Sequence, residues 1–291
     1  MAATNRPRRS MLYMPGSNAR ALEKARGLAA DALIFDLEDA VAPEAKAAAR
    51  ATISAALAGG YGGRELLLRT NGLDTPWGED DIKAAAAMPV DAVLLPKVES
   101  AATIHRAAAI LEQAGAPAAM AIWCMMETPL GVLRAEEIAA AHPRVAGFVM
   151  GTNDLVNDLH ARHTRDRLPL ITGLGLCLLA ARAYGLSVID GVYRDLDDDE
   201  GFAFACQQGL EWGFDGKSLI HPKTIAIANA VFSPDPAELE TARRTIAGFE
   251  AAQAEGKAVV LVDGKLVEAL HVANAKRLVA LADQIVALHQ E

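Results

Sequence analysis

The 291-residue chain is poor in aromatic side chains (5%) and has only three cysteines, Cys124, Cys177 and Cys206. An odd count with no zinc-ligand spacing argues against a disulfide framework and a thiolate metal site, and points to free thiols in a reducing compartment. Excess positive charge is also missing: 28 Lys and Arg face 37 Asp and Glu, a formal net charge of -9. That balance speaks against nucleic acid and anionic membranes as partners, since both reward clustered cations. It leaves an anionic substrate open, because a local Arg or a metal ion outweighs the global field. No apolar run approaches the ~20 residues of a membrane span. No apolar signal core follows the basic start MAATNRPRRSM. The expectation is a cytoplasmic protein with a small-molecule ligand. A dinucleotide fingerprint is absent as well, because Pro15-Gly16-Ser17-Asn18 after the first apolar run is a tight turn and not GxGxxG.

What is present is rhythm. Short apolar runs at 10–15, 32–38, 65–71, 92–98, 119–127, 145–151, 187–193 and 215–221 alternate with Ala-rich helical stretches. The helices are expected at 18–29, 43–58, 100–114, 131–141, 172–185, 199–212 and 222–231. Eight βα units within about 230 residues predict an α/β fold, a (β/α)8 TIM barrel, over an open doubly wound sheet. The rhythm breaks at Ser233-Pro234-Asp235-Pro236. A long helix, a hairpin signalled by Asp263-Gly264 and a last helix follow. The predicted division is a barrel over 1–233 and a helix–hairpin–helix lid or oligomerisation segment over 234–291.

Barrel chemistry sits at the C-terminal ends of the strands, and there nearly every run closes on an ionisable residue. They are Asp36, Glu38 and Asp39, then Arg69, Lys97, Glu127, Asp154, Asp190 and His221. Each such charge is costly without partners, and their coincidence at one rim suggests a site. Glu127, ahead of Thr128-Pro129, and Asp154, in Gly151-Thr152-Asn153-Asp154-Leu155, lie on adjacent strand ends. Two carboxylates with other positions left to water and substrate oxygens suit Mg²⁺ rather than zinc. The alternatives are an ion pair for Glu127 and a helix cap for Asp154. The planar fork of Arg69 suits a carboxylate or enolate oxygen. Asp36 and Glu38 fall on one strand face; they either hold metal waters or partner Arg69 or Lys97. Lys97 has an electrostatic role or a nucleophilic one, and His221 is a structural hydrogen-bonder or a base. Trp123, Met125 and Met126 are expected in the core.

These residues lie in motifs that resemble the HpcH/HpaI-type aldolases, and within them the citrate lyase β-subunit-like, malyl-CoA lyase-like CoA-ester lyases. The resemblance runs through Arg9-Ser10-Met11-Leu12-Tyr13-Met14-Pro15-Gly16, Phe35-Asp36-Leu37-Glu38-Asp39, Leu95-Pro96-Lys97-Val98-Glu99, Met126-Glu127-Thr128-Pro129 and Gly151-Thr152-Asn153-Asp154-Leu155. It ends with Phe214-Asp215-Gly216-Lys217-Ser218-Leu219-Ile220-His221-Pro222. It implies a trimer or hexamer with a lid reaching a neighbour's site, and Mg²⁺ held by Glu127 and Asp154. It also implies substrate binding by Arg69, and CoA near Pro15, Gly16 and Arg20; Lys97 is a substrate-binding candidate from its own place at a strand end. The family's lid aspartate, followed by proline, corresponds here to Glu268 in Lys265-Leu266-Val267-Glu268-Ala269-Leu270, without the proline. The expected activity is Mg-dependent carbon–carbon cleavage of a malyl-CoA or citramalyl-CoA type thioester, with Glu268 as acid/base. Thioester hydrolysis on the same scaffold and a carrier-protein citrate lyase subunit are the alternatives.

Overall fold

Eight short aliphatic strands hydrogen-bond in sequence order into a closed parallel barrel in the computed structural model, which describes residues 6–288. They are β1 (Ser10–Pro15), β2 (Ala32–Asp36), β3 (Glu65–Arg69), β4 (Ala92–Leu95), β5 (Ala121–Met126), β6 (Val145–Met150), β7 (Ser187–Asp190) and β8 (Gly216–Leu219). Pairing of β1 with β8 closes the ring, so the expected (β/α)8 barrel is the fold. Side chains alternate between two environments, as strand geometry requires. Met11, Ile34, Leu67, Leu94, Trp123, Val149 and Ile189 form one cluster inside the barrel. Leu12, Leu33, Phe35, Leu68, Val93, Phe148 and Val188 belong to the larger core under the helices.

Trp123 is the largest fully buried side chain, and position 147 makes room for it. Trp123 is in register with Gly147 across β5 and β6, and a Cβ there would come within 2.5 Å of the indole ring. The floor of the barrel is closed by ion pairs. Arg8 bonds Glu65 at the start of β3, donates to Ser187 Oγ at 2.9 Å and covers the Trp123 ring at 5.1 Å. Arg9 takes Asp31 bidentately, at 2.7 and 2.9 Å.

The strands are shorter than their apolar runs. β4 stops at Leu95 before Pro96, β7 at Asp190 and β8 at Leu219; past β4 and β7 backbone N–H groups turn to carboxylates, Lys97 N to Glu127 and Gly191 N to Asp190. The single helix expected over 131–141 is two, Pro129–Leu133 and Ala135–Ala140, broken at Arg134 (φ -107°, ψ 18°). Thr128 caps the first through Gly131 N at 3.1 Å. Helices Gly78–Ala86 and Thr152–Asp158 were not anticipated; both are short, and the second starts one residue after β6.

The chain divides into two compact units, Arg8–Phe232 and a second one from Ser233 onward. The second contains a helix Pro236–Ala254, an antiparallel pair β9 (Val260–Val262) and β10 (Lys265–Val267), and a helix Ala269–Leu288. Asp263 and Gly264 both have positive φ (50° and 76°), the conformation that a two-residue hairpin turn demands. Its core is small, centred on Phe249, Val267 and Val272. No helix among the described residues is long and apolar enough to cross a membrane.

Adding one methyl group at the Trp123 contact tests the packing of the barrel interior. Gly147→Ala should destabilise the protein by about 1–3 kcal/mol, the usual cost of overpacking. Chemical denaturation would measure it, and an unchanged midpoint would contradict the tight fit.

Candidate active site

Asp36 and Arg69 end neighbouring strands in register, and the parallel ladder therefore sets their side chains together at the rim. Arg69 donates from Nε to Asp36 Oδ1 at 2.7 Å and from Nη2 to Oδ2 at 2.6 Å. Its Nη1 lies 2.9 Å from Glu38 Oε2 and 3.8 Å from Asp39 Oδ2. The guanidinium covers the Tyr13 ring at 4.8 Å. Asp36 also accepts from the backbone N–H groups of Glu38 and Ala40, at 2.8 and 3.1 Å. Asp36 and Glu38 are both partners of Arg69. Burial pushes the Glu38 carboxyl up to about 8, against the pull of Arg69.

The second half of the site comes from β5 and β6. Glu127 follows β5, is buried, and accepts from the backbone N–H of Lys97 at 2.8 Å. Lys97 achieves this with φ of 45°, a backbone strain that non-glycine residues adopt mainly where surroundings impose it. Gly151, just past β6, is in contact with Glu127, since a Cβ there would collide with the Glu127 side chain. Burial raises the Glu127 carboxyl to about 7; the Lys97 N–H opposes this and the neighbouring Asp154 adds to it. Asp154 stands in the first turn of the helix Thr152–Asp158. It lies 3.4 Å from the half-exposed ammonium of Lys97. Burial works against that ammonium, yet Asp154, Glu38 and Glu127 together raise its pKa.

These groups surround a cavity of about 340 Å³ lined by Tyr13, Pro15, Asp36, Asp39, Arg69, Glu127, Asp154 and their neighbours. The expected residues Pro15, Arg69, Glu127 and Asp154 are brought together there. Gly16 lies behind, its N–H on Asp36 O at 2.9 Å, and Arg20 is an exposed residue of the helix Ala19–Ala25. Glu268 belongs to the second unit, where its carbonyl accepts from His271 N at 3.0 Å at the start of the last helix.

One expected rim residue is corrected. Asp190 is buried outside the cavity, held by Arg167 at 2.7 Å and Lys217 at 2.6 Å, because strand alternation turns it away from the interior position of Ile189. His221, read as a structural hydrogen-bonder or a base, is an exposed cap whose Nδ1 accepts from Lys223 N at 3.1 Å. Met125, expected only as core, also lines the cavity and receives the Tyr13 hydroxyl at 3.2 Å. Tyr13, Asn153, Val192, Ser218 and Ile220 were missed as lining residues. Alternation along β1 from Pro15 was the available signal for Tyr13.

No cluster of three or more His, Cys, Asp or Glu with metal-holding geometry exists among the described residues. The donor set still fits a hard cation that keeps waters. Five carboxylates (Asp36, Glu38, Asp39, Glu127, Asp154) gather around the two cations Arg69 and Lys97. Asn153 adds a buried Oδ1 without a hydrogen-bond partner among the described residues. Oxygen-only donors with one or two free carboxylates match magnesium chemistry.

A barrel with this rim defines a class. The family model of the HpcH/HpaI aldolase/citrate lyase enzymes matches residues 9–222, and the chain belongs to that family. A (3S)-malyl-CoA thioesterase of Cereibacter sphaeroides is 53% identical over 288 residues, covering 99% of each chain. The citrate lyase subunit beta of Escherichia coli K12 is 36% identical, over 96% of this chain and 94% of that one. The crystal structure of protein CitE from Mycobacterium tuberculosis in complex with magnesium, acetoacetate and coenzyme A superposes with a TM-score of 0.75 at 28% identity. That match covers 96% of this chain and all of the other.

Mutual repulsion of the site carboxylates is directly measurable in the metal-free protein. Asp154→Asn removes a negative neighbour, so the Glu127 carboxyl should titrate below its value of about 7. A carbon-detected NMR titration checks this; an unmoved midpoint would show that the two groups do not sense each other.

Proposed function

We propose that this chain is a Mg²⁺-dependent enzyme acting on a short hydroxyacyl-CoA thioester of the malyl-CoA type, with hydrolysis of the thioester as its reaction. The observation that carries the site chemistry is the excess of buried and half-buried carboxylate around Arg69 and Lys97 in one cavity. The choice of hydrolysis is supported by the 53% identity, end to end, to a (3S)-malyl-CoA thioesterase. Magnesium use is supported by the donor set and by the likeness to the magnesium-bound CitE protein.

Glu127 and Asp154 would hold the ion, with Asn153 Oδ1 beside them. When bound, magnesium would supply Lewis-acid polarisation of substrate oxygens and balance the carboxylate charge. The residues themselves account for orientation. Arg69 is fixed by two hydrogen bonds to Asp36 and by the Tyr13 ring, so its guanidinium meets a developing oxyanion without rearranging. In hydrolysis, water adds to the thioester carbonyl, the oxyanion collapses, the carbon–sulfur bond breaks and the CoA thiolate takes a proton. The products are malate and free CoA.

Carbon–carbon cleavage is the second reading, favoured by the 36% identity to citrate lyase subunit beta. There the substrate hydroxyl loses its proton, the adjacent carbon–carbon bond breaks, and glyoxylate leaves behind an acetyl-CoA enolate that is protonated at carbon. Arg69 serves the enolate oxygen in that case. Glu268, from a neighbouring copy's second unit, is the candidate acid; its extra methylene relative to aspartate changes its reach, and an error of about 1 Å matters at this step.

Assembly of several copies is part of the reading, as a trimer or hexamer. Leu133, Leu168, Leu176 and Leu179 are 76, 64, 40 and 71% exposed, and leucine in such numbers on one region marks an interaction surface. Leu179→Lys with Leu133→Lys should move the protein to smaller species in light scattering. An unchanged mass would place the interface elsewhere.

Product analysis with (3S)-malyl-CoA and Mg²⁺ separates the two reactions. Free CoA and malate without glyoxylate is the expected result; glyoxylate with acetyl-CoA would replace hydrolysis by lyase chemistry. Arg69→Ala and Glu127→Ala should each lower kcat by roughly 10²–10³ with the fold intact. Near-normal turnover in either variant would remove that residue from the mechanism.

A further inference from the structure

A second and larger cavity, about 680 Å³, opens beside the loops that follow β6 and β7. It shares only Thr152 and Val192 with the first. Its lining is cationic in an otherwise acidic chain, with Arg165, Arg167, Arg194 and Lys217 facing Asp195 and Asp198.

The unusual feature is at the base. Asp190, fully buried, is the one carboxylate between Arg167 (2.7 Å) and Lys217 (2.6 Å), whose side chains are 12 and 2% exposed. Its oxygens are saturated by these two and by Gly191 N at 2.8 Å. Two buried cations thus share one buried anion. Arg167 is held in place by Gln208 Oε1 at 2.6 Å and by the Trp212 ring at 4.7 Å, while its Nη2 has only a long 3.5 Å contact to Ala205 O. Lys217 Nζ donates to Asp190 alone among the described hydrogen bonds, although an ammonium has three protons to give. Arg167 also adopts a left-handed backbone (φ 55°, ψ 26°), a conformation that side-chain-bearing residues keep where the surroundings demand it.

At the mouth, Arg165 and Arg194 are exposed. Asp198 accepts from Tyr193 OH at 2.6 Å and Gly201 N at 2.8 Å and feels the charge of Arg165, so the four cations of the lining face two carboxylates here and the buried Asp190. Buried unbalanced charge is stabilised by a counter-ion, and guanidinium groups suit oxyanions in particular.

We propose that this cavity binds an oxyanion, a phosphate or carboxylate group of a metabolite-sized ligand, seated on Arg167 and Lys217 with Arg165 and Arg194 at its entrance. The ligand is either the phosphate portion of the CoA thioester or a separate anion. In both cases the wall formed by Thr152 and Val192, two residues from Asp154 on one side, links its occupancy to the acyl cavity.

The test is calorimetric titration of the full-length, magnesium-free protein with inorganic pyrophosphate, at fixed ionic strength. Arg165→Ala/Arg194→Ala, which alters only exposed side chains, should weaken binding at least tenfold. Arg69→Ala should leave it within twofold, because the acidic rim of the first cavity repels the probe. Equal affinity in the double variant and the wild type would overturn the proposal, as would loss of binding in Arg69→Ala or heats reproduced by sodium chloride alone. Repeating the titration with CoA present then identifies the source. Displacement by CoA, with a raised KM for the thioester and unchanged kcat in the double variant, assigns the anion to the substrate; no displacement assigns it to a separate ligand.

Discussion

The bidentate pair of Arg69 with Asp36 is the contact on which the rest of the site depends. It brings a carboxylate and a guanidinium into register at the ends of β2 and β3, with the Tyr13 ring beneath. Without Asp36 the guanidinium would be free to swing to Glu127. With it, Arg69 is spoken for on one edge and presents the other toward Glu38 and the cavity. The cost is carboxylate held out of water: burial first, and neighbouring carboxylates second, raise the carboxyls of Glu38 and Glu127. A site of this kind favours the arrival of positive charge.

The relatives of this chain include both a thioesterase and a citrate lyase subunit. Both thioester hydrolysis and retro-Claisen cleavage place negative charge on the thioester oxygen, so on the proposed reading both would draw on Arg69. They differ in what approaches the acyl group and where the proton goes. On the proposed reading that difference would rest with groups away from the rim, such as Glu268 in the separate helix–hairpin–helix unit.

Much of this was legible in the residues. The period of apolar runs is a direct consequence of βα geometry, and eight of them close a barrel. Charged residues at the ends of apolar strands stood out because their burial is costly, and Arg69, Glu127 and Asp154 do share a cavity. What failed was facing. Asp190 ends its strand as Arg69 does, but sits one step out of phase with the interior and points to Lys217 instead. Side-chain direction depends on register within the closed ring, which a single strand does not encode. Short elements were also invisible: the helix Thr152–Asp158 is too brief for a periodic signal, and the break at Arg134 rests on backbone angles. Met125 shows a subtler limit, since a residue can be core on one side and cavity wall on the other.

The barrel floor carries a consequence of a different kind. Arg8 with Glu65 and Arg9 with Asp31 close the end opposite the cavity, and the Trp123 layer separates them from it. Pairs of that sort specify which strand begins beside which, and they do so far from any substrate. Natural variation can therefore rework the rim, its loops and even the reaction while the order of the ring is defended elsewhere.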